Sequence, residues 1–286
     1  MAEAEIIPGG GMLGVDKALR ETELLISAGI ILSSLESLVR PQDVEDDGLI
    51  SWRIGRTRSK RMAKGATGKV FDRIFTSPGI QVLTSLRLTA STLVALPGTD
   101  RRTKAAAMTF LAVSNVLMQL RSNYGADGSD HVNLVVCAAV AASKFFPDDE
   151  KARKACTAFI AGQSVVSYFA AGLAKAISPY WRDGSAMQGI FRTKTYGQKH
   201  VGELLKKYPV LARLGGWGVW VGEMAFPLAL VAPKPIAAGL LGTGVSFHAG
   251  NAAFMGLNRF LWAFSATYPS VVHHSKHLSK RLTAGQ

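Results

Sequence analysis

The chain has 286 residues, enough for one large domain or two small ones, with 48% apolar and 19% charged residues. Its 33 Lys and Arg against 20 Asp and Glu give a formal charge of +13; no nucleic-acid motif accompanies that charge, so it is read as the Lys/Arg bias of membrane-protein loops rather than a nucleic-acid surface. The two cysteines, Cys137 and Cys156, exclude a disulfide framework and form no CxxC pair.

The N-terminal segment, 1–21, begins MAEAEIIPGGG and has no basic n-region, so no cleavable signal peptide is expected. A membrane span needs roughly 20 mostly apolar residues to cross about 30 Å of hydrocarbon. The first candidate, 22–39, is the weakest, because Glu23 and Glu36 fall within it. A basic connector, 40–75, follows. The second span, 77–97, carries Arg87 near its middle. The third, 105–120, precedes the polar loop SNYGADGSD, and the fourth covers 131–146. The turn PDDEKARK leads into the fifth, 155–177. Residues 178–209 are too polar to span, and AMQGIFRTK within them reads as an amphipathic interfacial stretch. The sixth span, 210–232, ends at the Pro233–Pro235 pair. The run 236–268 is one long tilted helix or two helices broken near Gly242–Gly244. The remainder, 269–286, reads as a solvated basic tail, and its His273, His274 and His277 fit that better than a metal site.

The pattern predicts an all-α, polytopic transmembrane helical bundle of about seven helices, six to eight, multi-pass in the cell membrane. With seven spans, the basic blocks 40–75 and 176–209 and the C-terminal tail share one side, which the positive-inside rule makes cytoplasmic.

Charged and polar residues at bilayer depth need a partner or a use. Ser164, Tyr168 and Lys175 stand four and then seven residues apart, so they share one helical face, with Gly172 alongside. Lys175 either snorkels from a helix end or serves as a partly desolvated base. Glu223, four residues before Pro227, is either a structural ion-pair member, with Arg87 as a partner, or a pocket residue. His131 either follows a helix N-cap built from Ser129 or Asp130, or faces a pocket. His248, Asn251 and Asn258, spaced by three and seven, share a face for interhelical hydrogen bonding or for a pocket. His131, His248 and Glu223 on separate helices also form a minor candidate for a metal site, although no metal is expected. GATGKV at 65–70 lacks the spacing of a phosphate loop, and neither GxGxxG nor HExxH is present.

The run Gly162-Gln163, Tyr168-Phe169, Ala171-Gly172, Lys175, Trp181 and Gly184 resembles a segment of the vitamin K-dependent γ-carboxylase superfamily, whose bacterial membrane core is the HTTM domain. Asp130-His131, Glu223 and the stretch 247–260 resemble three further segments in the same order, so the likeness covers 75–265 of an HTTM-like domain spanning 22–268. Two departures stand out: Ala174 replaces a frequent lysine, and the step from Lys175 to Trp181 is one residue longer. The resemblance implies a reduced, vitamin K-like quinone as cofactor, with Lys175 as its base and His131 as a second catalytic residue. Gln163, Tyr168, Glu223, His248 and Asn251 would line the pocket. It implies a peptide substrate or a membrane partner protein besides the lipid bilayer. Only about 20 residues follow the last predicted span, so the propeptide-binding extension of the eukaryotic carboxylases, and full γ-carboxylation with it, is not expected. Two other readings stand beside the enzyme: a non-enzymatic accessory factor in the maturation or export of a secreted peptide, and a transporter. The transporter is weaker, for want of paired broken segments.

Overall fold

The structure is a computed structural model that describes residues 14–48, 51–58, 64–122 and 127–278. The leading MAEAEIIPGGG, residues 59–63 of the basic connector, 123–126 of the polar loop and 279–286 of the tail lie outside the described residues.

The described residues are all-helical, with no strand among them. In chain order the helices are α1 (Val15–Val39), α2 (Trp52–Arg58), α3 (Gly65–Phe75), α4 (Gly79–Ala95), α5 (Arg101–Arg121), α6 (Gly128–Phe145) and α7 (Glu150–Ile177). They continue with α8 (Pro179–Asp183), α9 (Ser185–Arg192), α10 (Lys199–Lys207), α11 (Pro209–Ala225), α12 (Lys234–Met255), α13 (Asn258–Ser265) and α14 (Tyr268–His274). Two of them, α1 and α7, are long and apolar enough to cross a membrane by length and composition.

Helix α1 is the central post. It packs on α4, α6, α7, α13 and α14, while α4, α5, α6 and α7 follow one another around it and α11 lies along α7. The Glu23 that weakens the first predicted span explains this position. Its carboxylate, 1% exposed, is held by Lys144 of α6 and by Arg20 at 3.2 Å. Arg20 also donates to the carbonyls of Val94 and Ala95, each at 2.7 Å, and so satisfies the last turn of α4. Glu36 accepts from Asn258 Nδ2 at 3.0 Å. Both acids inside the span are therefore partnered.

The core is mostly apolar, but it also takes in polar side chains, while large apolar ones stay exposed. On α7 the buried face is Thr157, Ile160, Ala161, Ser164, Tyr168 and Gly172, while Phe159, Val166, Phe169, Leu173 and Ile177 are exposed. On α4 the polar Thr84, Arg87 and Ser91 are buried, while Val82 and Leu86 are exposed.

Several boundaries differ from the predicted ones. The first helix begins at Val15, inside the segment assigned to the N-terminus. The basic connector is not merely a loop. Trp52 is buried against Phe71 and Phe75, and its indole N–H donates to Asp72 at 2.8 Å. Arg121 donates to the carbonyls of Phe75, at 3.1 Å, and Val44. Residues 178–209 form α8, α9 and α10, which pack on α11. Helix α11 stops at Ala225, because Pro227 has no N–H to continue the ladder and Phe226–Leu230 tightens into a 3₁₀ turn.

The last apolar run breaks at Gly256, not near Gly242–Gly244. Gly256 ends α12 in the left-handed conformation at φ +70°. Gly244 stays helical and serves close approach: a Cβ there would collide with the Tyr268 hydroxyl. The break puts Asn258 on α13, so it does not share a helical face with His248 and Asn251. The start of the presumed solvated tail is also packed: Val271 and Ser275 are fully buried, and Ser275 Oγ donates to the Ala229 carbonyl at 2.7 Å.

Candidate functional site

Helix α7 carries one side of the site. Its face of Ser164, Tyr168, Gly172 and Lys175 turns inward, as the spacing predicts, and meets α11. Gly172 sets how closely: a Cβ on it would fall 2.7 Å from the Met224 backbone nitrogen and 2.9 Å from the Glu223 Cβ. One turn further along, Lys175 Nζ reaches Glu223, donating to Oε1 at 2.9 Å and Oε2 at 2.8 Å. The two side chains are 21% and 8% exposed. The ammonium also stands 5.3 Å from the centre of the Trp181 ring, a cation–π distance.

Arg87 is thus not the partner of Glu223. It lies among α4 and α5, donating to Ser114 Oγ at 2.5 Å and Asn115 Oδ1 at 3.0 Å. Depth along a span gives no information about which side of the bundle a residue faces, and here the two face different places.

A second group of bonds fixes the floor. The Tyr168 hydroxyl lies 2.7 Å from His248 Nε2 and 2.6 Å from the Tyr268 hydroxyl. The Tyr168 ring stacks on Phe226 with centroids 4.0 Å apart, and the His248 ring stacks on Phe264 at 4.6 Å. His248 Nδ1 is buried with no hydrogen-bond partner. Thr267 donates to Ser164 Oγ at 2.8 Å, tying the segment between α13 and α14 to α7.

Between these elements lies a cavity of about 390 Å³. All seven residues singled out in the sequence line it: Lys175, His131, Gln163, Tyr168, Glu223, His248 and Asn251. Four helices, α6, α7, α11 and α12, contribute them. His131 is the exposed member. Its Nδ1 lies 3.2 Å from the Asp127 carbonyl, which can only accept, so the ring proton sits on Nδ1 and Nε2 keeps its lone pair when the ring is neutral. The helix N-cap beside it is Asp127, with Asp130 at N3 in a reciprocal capping box, rather than Ser129 or Asp130. Gln163 donates to Ser167 Oγ at 3.1 Å.

The aromatic walls escaped sequence reasoning. Phe247, Phe260 and Phe264 line the cavity, and Phe226 and Tyr268 back it. Inside an apolar run a Phe carries no sign of which way it faces. The one available signal was Tyr268-Pro269 at the end of that run, a polar-tipped aromatic beside a helix start.

The cavity therefore combines one ammonium–carboxylate pair, a Tyr–His hydrogen-bond chain and mostly apolar, aromatic walls. Its size lies within the range of about 300–1,000 Å³ usual for small-molecule sites. A flat aromatic ligand with a hydroxyl suits those walls and that polar end. His131, His248 and Glu223 share the cavity, yet no cluster of three His, Cys, Asp or Glu able to hold a metal occurs among the described residues. His273 and His274 meet edge to face at 4.7 Å, and His274 bonds Thr157 at 2.9 Å. No family model, curated protein or solved structure shows a significant match to this chain.

Proposed function

We propose that the chain is a multi-pass integral membrane enzyme that binds a reduced, vitamin K-like quinone in the Lys175 cavity and uses its oxidation to modify a peptide. Two observations support the membrane part of this reading. The long helices α1 and α7 have the length and composition of spans, and the bundle leaves many large apolar side chains exposed while burying polar ones such as Arg87, Ser91 and Ser164 beside its apolar core. Lipid favours such exposed apolar side chains and such buried hydrogen bonds, which then have no competition from water.

The observation that carries the chemistry is the Lys175–Glu223 pair at the polar end of an aromatic-walled cavity. The bound hydroquinone would supply four electrons to dioxygen, giving the quinone epoxide and one water. Lys175 is the base for the hydroquinone hydroxyl. To act so, its ammonium first passes a proton to Glu223, and the contacts of 2.8 and 2.9 Å provide the route. The resulting amine would then be free to accept a proton from the ligand's hydroxyl. His131 and the Tyr168–His248 pair line the same cavity and would hold the ligand's other polar groups.

The test is oxygen uptake by the detergent-purified chain given a reduced naphthoquinone. Turnover by the wild type and its abolition in Lys175→Ala is the expected result. Unchanged uptake in that variant overturns the role of Lys175. A wild-type protein that neither consumes oxygen nor retains quinone, but co-purifies with a peptide or a second membrane protein, would instead favour an accessory role.

A further inference from the structure

A second cavity, about 780 Å³, opens on the other side of the first turn of α6. Asp130 and Asn133 line it, whereas His131 and Val132 line the Lys175 cavity. Its inner wall carries Arg87 from the middle of α4, 8% exposed. Both bonds of that guanidinium go to neutral side chains, Ser114 and Asn115. Among the described residues Arg87 makes no ion pair: Asp130, the carboxylate whose field reaches it, is instead bonded by Arg259 at 3.2 Å and by the Asp127 backbone N–H at 3.1 Å. A guanidinium has five N–H donors, so several stay available. Ser34, 2% exposed, adds a buried hydroxyl to the same wall, and its Oγ has no hydrogen-bond partner.

A buried cation bonded only to neutral groups is costly, and a partnerless buried hydroxyl adds to the cost. A bound anion removes both. We propose that this cavity is a binding site for a monoanionic oxyanion, a carboxylate or a phosphodiester, gripped by Arg87 and Ser34. The planar guanidinium fork matches two oxygens of either group. Glu36, Asp43 and Asp130 also line the cavity and oppose a doubly charged ligand, while Arg40 and Arg259 add attraction. The site is separate from the Lys175 cavity and does not depend on its chemistry.

The test uses the full chain in a neutral maltoside detergent, titrated with octanoate and with dioctanoyl phosphatidylglycerol, against uncharged dioctanoylglycerol. Binding is followed by tryptophan fluorescence and by the thermal unfolding midpoint. Both anions, or one of them, should bind and raise the midpoint, and the neutral probe should not. Binding of phosphatidylglycerol alone identifies a lipid headgroup as the source, and binding of octanoate alone a carboxylate. Losing one charge-assisted contact makes the expected weakening about tenfold or more in Arg87→Gln. Ser34→Ala should weaken binding by about threefold without lowering the midpoint of the ligand-free protein, because its hydroxyl has no partner to lose. Ser34→Ala decides the matter if Arg87→Gln fails to fold. Lys175→Ala should bind the anion as the wild type does. Anions that bind no better than the neutral probe, or that bind Ser34→Ala as tightly as the wild type, overturn the proposal.

Discussion

Lys175 and Glu223 lie 48 residues apart in the chain, on α7 and α11, and meet in a two-pronged ion pair at 2.8 and 2.9 Å. Breaking such a pair on one side leaves the other charge half-desolvated. We expect Glu223→Gln and Lys175→Met each to cost about 3 kcal/mol. The double variant Lys175→Met/Glu223→Gln should be less destabilised than the sum of the two, because no uncompensated charge remains. Thermal unfolding of the four proteins in one detergent measures this. Additive losses would show that the two side chains are not coupled.

The closeness of α7 and α11 depends on Gly172. Gly172→Ala would push a methyl against the Met224 backbone nitrogen and should cost about 2 kcal/mol while misaligning Lys175 and Glu223. Gly162, on the same helix, has no atom within 4 Å of the position a Cβ would take. Gly162→Ala should therefore be neutral or stabilising by up to about 1 kcal/mol. Equal effects at both positions would mean that helix propensity, not close approach, governs Gly172.

The Tyr168 hydroxyl bridges His248 and Tyr268. Tyr168→Phe keeps the stack on Phe226 but leaves two buried polar groups without that partner, at a cost of about 1–3 kcal/mol. His248 then has neither ring nitrogen bonded to Tyr168, and its imidazole nitrogen resonances should move. An unchanged melting point and unchanged imidazole signals would show that the bridge does not form.

Much of the candidate site was legible because a charge inside an apolar run is costly to bury without a partner. Lys175, Glu223 and His248 each interrupt an apolar run, and an interruption of that kind marks a residue with a partner or a use. Which partner was not legible. The sequence offers Arg87 as the mate of Glu223, whereas α7 brings Lys175 to it and α4 lies away from α11. Glycine was ambiguous in a similar way. Gly242–Gly244 resembles a break, yet Gly244 makes room for Tyr268, and the break falls at Gly256, where the backbone turns left-handed. The helical class follows from the long apolar runs between charged blocks. The burial of Glu23 could not be read from them, because the cations that permit it come from Arg20 within the helix and Lys144 far along the chain.

The first turn of α6 separates the two cavities, so its cap should influence both. The Asp127 carboxylate accepts from the Ser129 N–H at 2.8 Å, and Asp130 accepts from the Asp127 N–H at 3.1 Å. Arg259 clamps the two acids from α13, at 3.3 Å to Asp127 and 3.2 Å to Asp130. Asp127→Ala removes both the cap and one arm of the clamp, and should cost about 1–2 kcal/mol. Asp127→Asn keeps a capping oxygen and loses only a partly exposed ion pair, so its cost should stay under about 1 kcal/mol. The ordering also predicts function. His131 hangs from the Asp127 carbonyl, and fraying of this turn would release it from the rim of the Lys175 cavity. If the cavity holds a quinone as proposed, its binding should therefore weaken in Asp127→Ala and persist in Asp127→Asn. Calorimetric or fluorescence titration of the two variants decides it: equal binding in both would mean that the cap stabilises α6 without placing His131.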